Sequence, residues 1–250
     1  IMVGAFAVIT TVSMLGFPPA LAIAASVVCC VVLGVCVERI AYKPLRKSPP
    51  LAVLITAIGV SYFLQSLALL IFGSTQHSFP KVFSVPTLAL GALTIRGDML
   101  VTLAVTTAIM VGMSLFIAKS RTGKAMRAVS EDRDAAELMG ISVNRTITIT
   151  FAIGSALAAV AGVFYGTTYG FIGPYTGSMP GIKAFVAAVF GGIGSMPGAM
   201  LGGILLGVIE NLAKRYISTE LSDAIVFAVL IIVLMVKPTG LLGKRVTEKV

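Results

Sequence analysis

Residues 51–72 read LAVLITAIGVSYFLQSLALLIF, an apolar run whose polar interruptions are Gln65 and a few hydroxyl groups. About 20 consecutive apolar residues in a helix span the roughly 30 Å of hydrocarbon in a lipid bilayer. A backbone exposed to lipid must satisfy its own hydrogen bonds, so a run of this length forms a helix rather than an open strand. This stretch therefore predicts a transmembrane helix.

Six further apolar runs lie on either side of this stretch, at residues 1–15, 20–37, 99–118, 146–170, 184–209 and 224–236. The chain is 57% hydrophobic and 12% charged, whereas soluble domains carry about 25% charged residues. That composition leaves too little polar surface to cover a soluble globule. A membrane β-barrel would show short alternating segments instead. We therefore predict an all-α fold, a polytopic bundle of transmembrane helices that forms one domain over residues 1–250.

Proline positions indicate where these helices end. Ten of the eleven prolines fall in the connections between runs, where a missing backbone N–H costs little. The eleventh, Pro197, lies inside the Gly-rich run of residues 184–209. We expect a break near Pro197 rather than one straight helix.

Basic residues predict the orientation of the bundle. Fourteen of the nineteen are concentrated in the 38–50 connection, the 119–145 connection and the tail after residue 236. The positive-inside rule places these three segments in the cytoplasm. Residues 184–209 must then begin and end on the outer side, as two short spans or a re-entrant pair that turns at residues 191–198. The bundle then has about seven or eight membrane segments.

Composition also excludes several kinds of chemistry. The net charge of +9 is spread over loops, as orientation demands, and forms no basic stripe typical of nucleic-acid binding. His77 is the single histidine, so a His-based metal site or catalytic triad is excluded. The three cysteines share one apolar run and are expected to be packing residues. We expect no catalytic residue, no metal and no cofactor.

Small residues recur at helical spacing in two of the runs. Gly154, Ala158, Gly162, Gly166 and Gly170 follow one another every four residues, and Gly194, Gly198 and Gly202 form a second ladder next to Gly191 and Gly192. Residues four apart lie on one helix face, and small residues let helices approach closely in lipid. Two interpretations remain open: these faces serve static packing, or they slide and line the pathway during transport.

The 119–145 connection is expected to contain a short helix. Residues 124–139 hold no glycine or proline, strong helix formers dominate, and Gly140 fits the position that ends a helix. Met126, Val129 and Leu138 give it an apolar side among charges. Such a helix is either a docking surface for a partner or a helix that lies on the membrane with its basic residues at the headgroups.

Several short motifs follow one another along the chain. Residues 134–140 read DAAELMG, similar to the Glu-Ala-Ala-x-x-x-Gly loop of ABC importer permeases, with Asp134 replacing the leading Glu and without the more distant Leu-Pro ending. The other motifs are YKPLR at 42–46, LITAIG at 54–59, TFAIGSALA at 150–158, GIKAF at 181–185, GGIGSMPGA at 191–199 and KPTGLLG at 237–243. In this order they resemble the branched-chain amino acid ABC transporter permease family, of the LivH type, over essentially the whole chain.

This resemblance implies a machine in the bacterial cytoplasmic (inner) membrane. A second homologous permease subunit, two ATP-binding subunits and an extracytoplasmic substrate-binding protein are the expected partners. Because the chain has no Gly-x-x-x-x-Gly-Lys-Ser/Thr phosphate loop, ATP hydrolysis falls to those partners. The family has a further membrane segment before the point that matches Ile1, so we expect one to be missing here. The residues expected to couple to the ATPase are Arg127, Asp134, Ala135, Ala136, Glu137 and Gly140.

Other functions are weighed against this one. Relatives carry urea, short amides or other amino acids, so the substrate stays open between these and the branched-chain amino acids. An ion-coupled secondary transporter usually has ionisable groups deep in the membrane, whereas Glu38, Lys183 and Glu210 lie at the ends of predicted spans. Lys183 is expected to extend its ammonium to the outer interface. A membrane-embedded enzyme would need a paired nucleophile and base, which the sequence does not show.

Overall fold

The computed structural model describes residues 1–80, 88–90, 93–95, 97–192 and 194–243, which form two compact units, one from Ile1 to Gly177 and one from Ser178 onward. Five of the described helices are long and apolar enough to cross a membrane, and shorter apolar helices accompany them. The turn residue Ile193, the connection proline Pro86 and five basic residues of the orientation argument lie outside the described residues: Lys81, Arg96, Lys244, Arg245 and Lys249.

The first unit contains seven α-helices within the residues that the structure describes. They are α1 (Met2–Leu15), α2 (Pro19–Val37), α3 (Pro50–Phe72), α4 (Gly97–Lys119), α5 (Arg121–Glu131), α6 (Arg133–Leu138) and α7 (Val143–Tyr169). A π-helical turn (Glu38–Tyr42) and a 3₁₀ turn (Pro44–Lys47) continue α2 towards α3. In this unit the helices of the apolar runs begin and end within about two residues of the predicted limits, except that α7 starts earlier, at Val143.

Two short antiparallel strand pairs join this helical unit, and the sequence did not predict them. Strand β1 (His77–Ser78) pairs with β4 (Phe171–Ile172), and β2 (Leu88–Leu90) pairs with β3 (Leu93–Ile95). The β1–β4 pair holds the connection after α3 against the end of α7, where the backbone of Phe79 also donates to the carbonyl of Gly170 at 2.9 Å. Segments of two or three residues carry too little alternation to be read from sequence.

A buried cluster holds α1, α2, α3 and α7 together at this end. The ring of Phe6 stacks on Phe72 with centroids 4.3 Å apart, and the rings of Phe6 and His77 are nearly perpendicular with centroids 5.8 Å apart. Ala22 and Val163 are among the other buried residues of this cluster. Stacked and edge-on aromatic pairs add to the stabilisation from burial, so this cluster fixes how α1 packs against its neighbours.

The second unit consists of α8 (Ser178–Gly191), α9 (Met196–Tyr216) and α10 (Ser222–Val236) among its described residues. Val186, Phe190, Leu206 and Val226 form its buried core. The sequence shows one apolar run at 184–209. In the structure two packed helices cover this run and extend beyond both of its ends, and the helical backbone is interrupted between Gly191 and Met196.

Pro197 sits in the first turn of α9, where a missing N–H interrupts no helical hydrogen bond. The Ser195 side chain caps α9 by accepting from the backbone N–H of Gly198 at 3.2 Å. At the other side of the break, Leu241 and Leu242 donate their backbone N–H groups to the carbonyls of Phe190 and Gly191, both at 2.9 Å. Ser195 therefore caps the start of α9, and the segment after α10 satisfies carbonyls at the end of α8.

Candidate functional site

The connection between α4 and α7 folds as the two helices α5 and α6, so the prediction of a single helix over residues 124–139 is wrong. Asp132 takes an extended backbone with φ of −154° between them. Its Oδ1 accepts hydrogen bonds from the backbone N–H groups of Asp134 at 2.9 Å and Ala135 at 3.0 Å. Asp competes for backbone N–H groups in this way, which favours helix starts over helix interiors.

Helix α5 is fastened to the end of α4 by side chains on both sides of the turn. The Ser120 hydroxyl accepts from the backbone N–H of Gly123 at 2.8 Å. A side chain at Gly123 would collide with the backbone of Ile117. Arg127, which was expected to couple to the ATPase, donates to the carbonyls of Ile117 at 3.0 Å and Ala118 at 3.2 Å. A cation there satisfies the free carbonyls at a helix C-terminus.

Helix α6 presents an apolar surface away from the rest of the chain. Leu138 and Met139 are 89% and 82% exposed, and Ala135 beside them is exposed. Ala136 is only 4% exposed and faces the protein's own interior. We call Ala135, Leu138 and Met139 the docking face. Two further residues predicted to take part in coupling are exposed on the same helix: Asp134 and Glu137.

Gly140 ends α6 in the left-handed conformation. Its φ is +79°, and a Cβ placed on this residue would have no neighbouring atom within 4 Å, so glycine is needed here for backbone conformation and not for space. The N–H of Gly140 bonds to the carbonyl of Glu137 at 2.9 Å, and that of Ile141 to Ala136 at 3.0 Å. This pair of bonds is the Schellman arrangement, which turns the chain back towards α7.

Two members of the small-residue stripe on α7 lie in close helix contacts. A side chain at Gly162 would collide with the backbone carbonyl of Ile1. At Gly166 it would meet the ring of Phe79 at 2.5 Å. These glycines therefore let α1 and the Phe79 segment approach α7 closely, as small residues do between helices in lipid.

Residues outside the predicted stripe make the other close contacts of α7. Gly34 of α2 lies against the side chain of Ser155. Gly4 of α1 lies against Ala159, and a Cβ placed on Gly4 would be 2.8 Å from the Cα atom of Ala159. In the first half of α7 the packed face is therefore shifted by one residue from the predicted stripe, to Ser155 and Ala159. Two members of the stripe lie outside this packed face. Gly154 is exposed, and a Cβ placed on it would have no atom within 4 Å, whereas Ala158 is partly buried.

The second ladder lies at the break between α8 and α9. Gly191 and Gly198 face each other so closely that a side chain on either would collide with the backbone of the other. Gly202 packs against the same turn of α8. Gly192 and Gly194 have positive φ values of 111° and 87°, which glycine adopts readily. All five glycines therefore lie in a close helix–helix contact or in the turn beside it.

A cluster of charges joins the three helices of the second unit. The Lys183 ammonium lies 2.8 Å from Glu210 Oε1 and 2.6 Å from Asp223 Oδ1, and Lys214 lies 2.5 Å from the same Glu210 oxygen. Lys183 thus pairs with two carboxylates rather than extending alone to an interface. The sequence did not signal the pairs that Lys183 makes, because its partners are separated from it by 27 or more residues.

Long apolar helices packed through small residues define a multi-pass membrane protein, and a short helix with exposed apolar side chains lies between two of them. Residues 1–234 match the family described as the branched-chain amino acid transport system / permease component. The chain belongs to this family, so it is a transport permease of the cytoplasmic membrane and not an enzyme.

Three curated relatives illustrate the similarity. The chain is 43% identical to the high-affinity branched-chain amino acid transport system permease protein BraD of Pseudomonas aeruginosa, covering 98% of this chain and 83% of BraD. It is 44% identical to the permease protein LivH of Salmonella typhimurium and 45% identical to LivH of Escherichia coli K12, covering 98% of this chain and 82% of each relative. No solved structure matches the chain significantly.

Proposed function

We propose that the chain is the membrane-spanning subunit of an ABC importer that carries branched-chain amino acids across the bacterial cytoplasmic membrane. Partner subunits would hydrolyse the ATP. Support comes from the family match over residues 1–234 and from relatives at 43–45% identity that are named high-affinity branched-chain amino acid permeases. The proposed assembly contains a second homologous permease, two ATP-binding subunits and an extracytoplasmic substrate-binding protein.

The docking face of α6 is the structural observation that supports the partner subunits in this proposal. Two large apolar side chains, Leu138 and Met139, are more than four-fifths exposed in a loop rich in charged residues. Contiguous exposed apolar patches rimmed by polar residues typically mark a site of interaction, and a helix can enter a groove of a partner with its apolar side.

The competing interpretation places α5 and α6 on the membrane surface. That interpretation needs the loop's arginines at anionic headgroups. Arg127 instead donates to the carbonyls that end α4, and Arg133 donates to the carbonyl of Arg46 at 3.4 Å. Two of the loop's cations are thereby committed to the protein backbone, which favours a protein partner for the docking face.

The proposed membrane arrangement uses eight apolar helices of the described residues: α1, α2, α3, α4, α7, α8, α9 and α10. Helices α8 and α9 would be the Gly-rich broken pair, entering and leaving on the outer side. Lys183 near the start of α8 pairs with Glu210 near the end of α9 and with Asp223 at the start of α10. The break lies next to residues 240–243, which follow the opposite end of α10. Both features agree with a hairpin whose open end faces outward when the basic loops face the cytoplasm.

Reconstitution tests the proposal. Proteoliposomes that contain this chain, its permease partner and the ATP-hydrolysing subunits would be supplied with the binding protein and labelled leucine, urea or acetamide. We expect ATP-dependent uptake of leucine that needs the binding protein and is unaffected by collapsing the ion gradients. Uptake of urea or acetamide in place of leucine would reassign the substrate. Uptake driven by an ion gradient without ATP would contradict the proposal as a whole.

A further inference from the structure

A carboxylate is fully buried where α2 passes into its π-helical turn. Glu38 is 0% exposed and begins the turn Glu38–Tyr42. One carboxylate oxygen forms an ion pair with Arg46, and the other accepts a hydrogen bond from the Thr148 hydroxyl of α7 at 2.9 Å. Single π-turns within helices are frequent at functional sites, and a charge buried this deeply requires its partners.

Arg46 connects this carboxylate to two other parts of the first unit. Its guanidinium bonds both to Glu38 and to the side-chain oxygen of Asn144, at the start of α7. Its backbone carbonyl accepts from the guanidinium of Arg133, the first residue of α6. A single residue therefore touches the end of α2, the start of α7 and the helix that carries the docking face.

The two long helices joined by this pair pack closely elsewhere. Gly34, one turn before Glu38, lies directly against Ser155, two turns after Thr148. Helices α2 and α7 are thus in direct contact at Gly34 and Ser155, and the ion pair links them again at the end of α2. A displacement of α6 that moves Arg46 would move both helices together as long as Arg46 is held by Glu38.

We propose that Glu38 and Arg46 are positioning residues that transmit the ATP-driven movement of α6 to helices α2 and α7. This inference rests on the proposed function. Apolar side chains stabilise helix packing as well as a buried ion pair does, so packing alone gives no need for one here. The pair is distinguished by its location between the docking helix and two membrane helices.

The test measures how much leucine is transported per ATP hydrolysed in the reconstituted complex. The variants are Glu38→Gln, Arg46→Gln and the two combined, and Lys43→Gln is the matched control because Lys43 is an exposed cation of the same connection. Coupling free energies between sites are commonly worth about fivefold or more. We expect each single variant to lower the transport ratio about fivefold or more, and the double variant to lower it no further. Lys43→Gln should behave as wild type.

A purely structural role would lower the yield of assembled complex and leave the ratio of the surviving complex unchanged. We expect instead a normal yield of assembled complex, with the ATP-hydrolysing subunits retained and ATP hydrolysis continuing, and a lowered transport ratio. A wild-type ratio in Glu38→Gln would overturn the inference. If that variant does not assemble, Asn144→Ala serves as the test, because it removes one partner of Arg46 without changing Glu38. A wild-type transport ratio in Asn144→Ala would also overturn the inference. The proposed function itself fails only if the wild-type complex shows no ATP-dependent uptake.

Discussion

The carboxylate of Asp132 accepts a hydrogen bond from the backbone N–H of Ala135 at 3.0 Å and thereby sets the start of α6. Helix α6 has only six residues, and isolated helices this short are unstable in water. Its geometry therefore depends on the cap at one end and on Gly140 at the other. The docking face is positioned by these two ends.

Removing the cap should unfold α6 without affecting the membrane helices. Asp132→Ala leaves the N–H groups of Asp134 and Ala135 without their acceptor, a loss worth about 1 kcal/mol. We expect faster hydrogen exchange at the amides of residues 133–138 and weaker retention of the ATP-hydrolysing subunits. Asp132→Asn is the control, since its side-chain oxygen still caps. Equal amide protection in wild type and Asp132→Ala would show that the cap does not hold α6.

A charge on the docking face distinguishes a protein partner from the membrane surface. Ala135 is exposed beside Leu138 and Met139, so Ala135→Arg should block entry into a groove by bulk and charge. We expect normal insertion and pairing with the second permease, but loss of co-purified ATP-hydrolysing subunits and of uptake. A helix on the membrane would instead gain contact with anionic lipid from the added charge. Full retention of those subunits with normal uptake would count against the docking role.

The sequence predicts those features of this protein that depend on local patterns. An apolar run of membrane length is enough to identify α3, because the requirement for about 20 apolar residues is set by the bilayer itself. Gly140 could be assigned to a helix end because its neighbours in sequence fix that position. The interruption of the helix near Pro197 could be predicted from the proline and the glycines around it.

Features that depend on distant partners could not be predicted. Glu38 and Thr148 are 110 residues apart, and nothing near either residue shows that they meet. Asp132 was assigned to a helix interior because its neighbours favour helix, and only the backbone geometry shows it capping a second helix. The packed face of α7 was misplaced in part because glycine spacing defines a stripe, whereas contact at Ser155 and Ala159 depends on where α2 and α1 lie.

Two glycines of the predicted stripe on α7, Gly162 and Gly154, provide a matched comparison. Gly162 lies against the backbone at Ile1, whereas Gly154 has no atom within 4 Å of the position of its missing Cβ. We expect Gly162→Ala to lower the thermal stability of the purified protein, since overpacking typically costs about 1–3 kcal/mol. Gly154→Ala should leave stability unchanged or raise it, because alanine favours helix over glycine by about 1 kcal/mol. Equal melting temperatures for the two variants would argue against close packing at Gly162.

Labelling of single cysteines tests the orientation. The first step replaces Cys29, Cys30 and Cys36, two of which are exposed, so that only an introduced thiol reacts. Thr75, in the connection after α3, and Glu131, at the end of α5, are both exposed positions for it.

We expect a membrane-impermeant thiol reagent added to intact cells to label Thr75→Cys and to label Glu131→Cys only after the membrane is opened. The physical reason is the concentration of basic residues in the 38–50 and 119–145 connections, which the positive-inside rule keeps in the cytoplasm. Both variants should still support leucine uptake, which shows that the labelled protein is the folded one. Labelling of Glu131→Cys from outside would reverse the orientation and place the docking face on the side without ATP, which no ATP-driven permease could use.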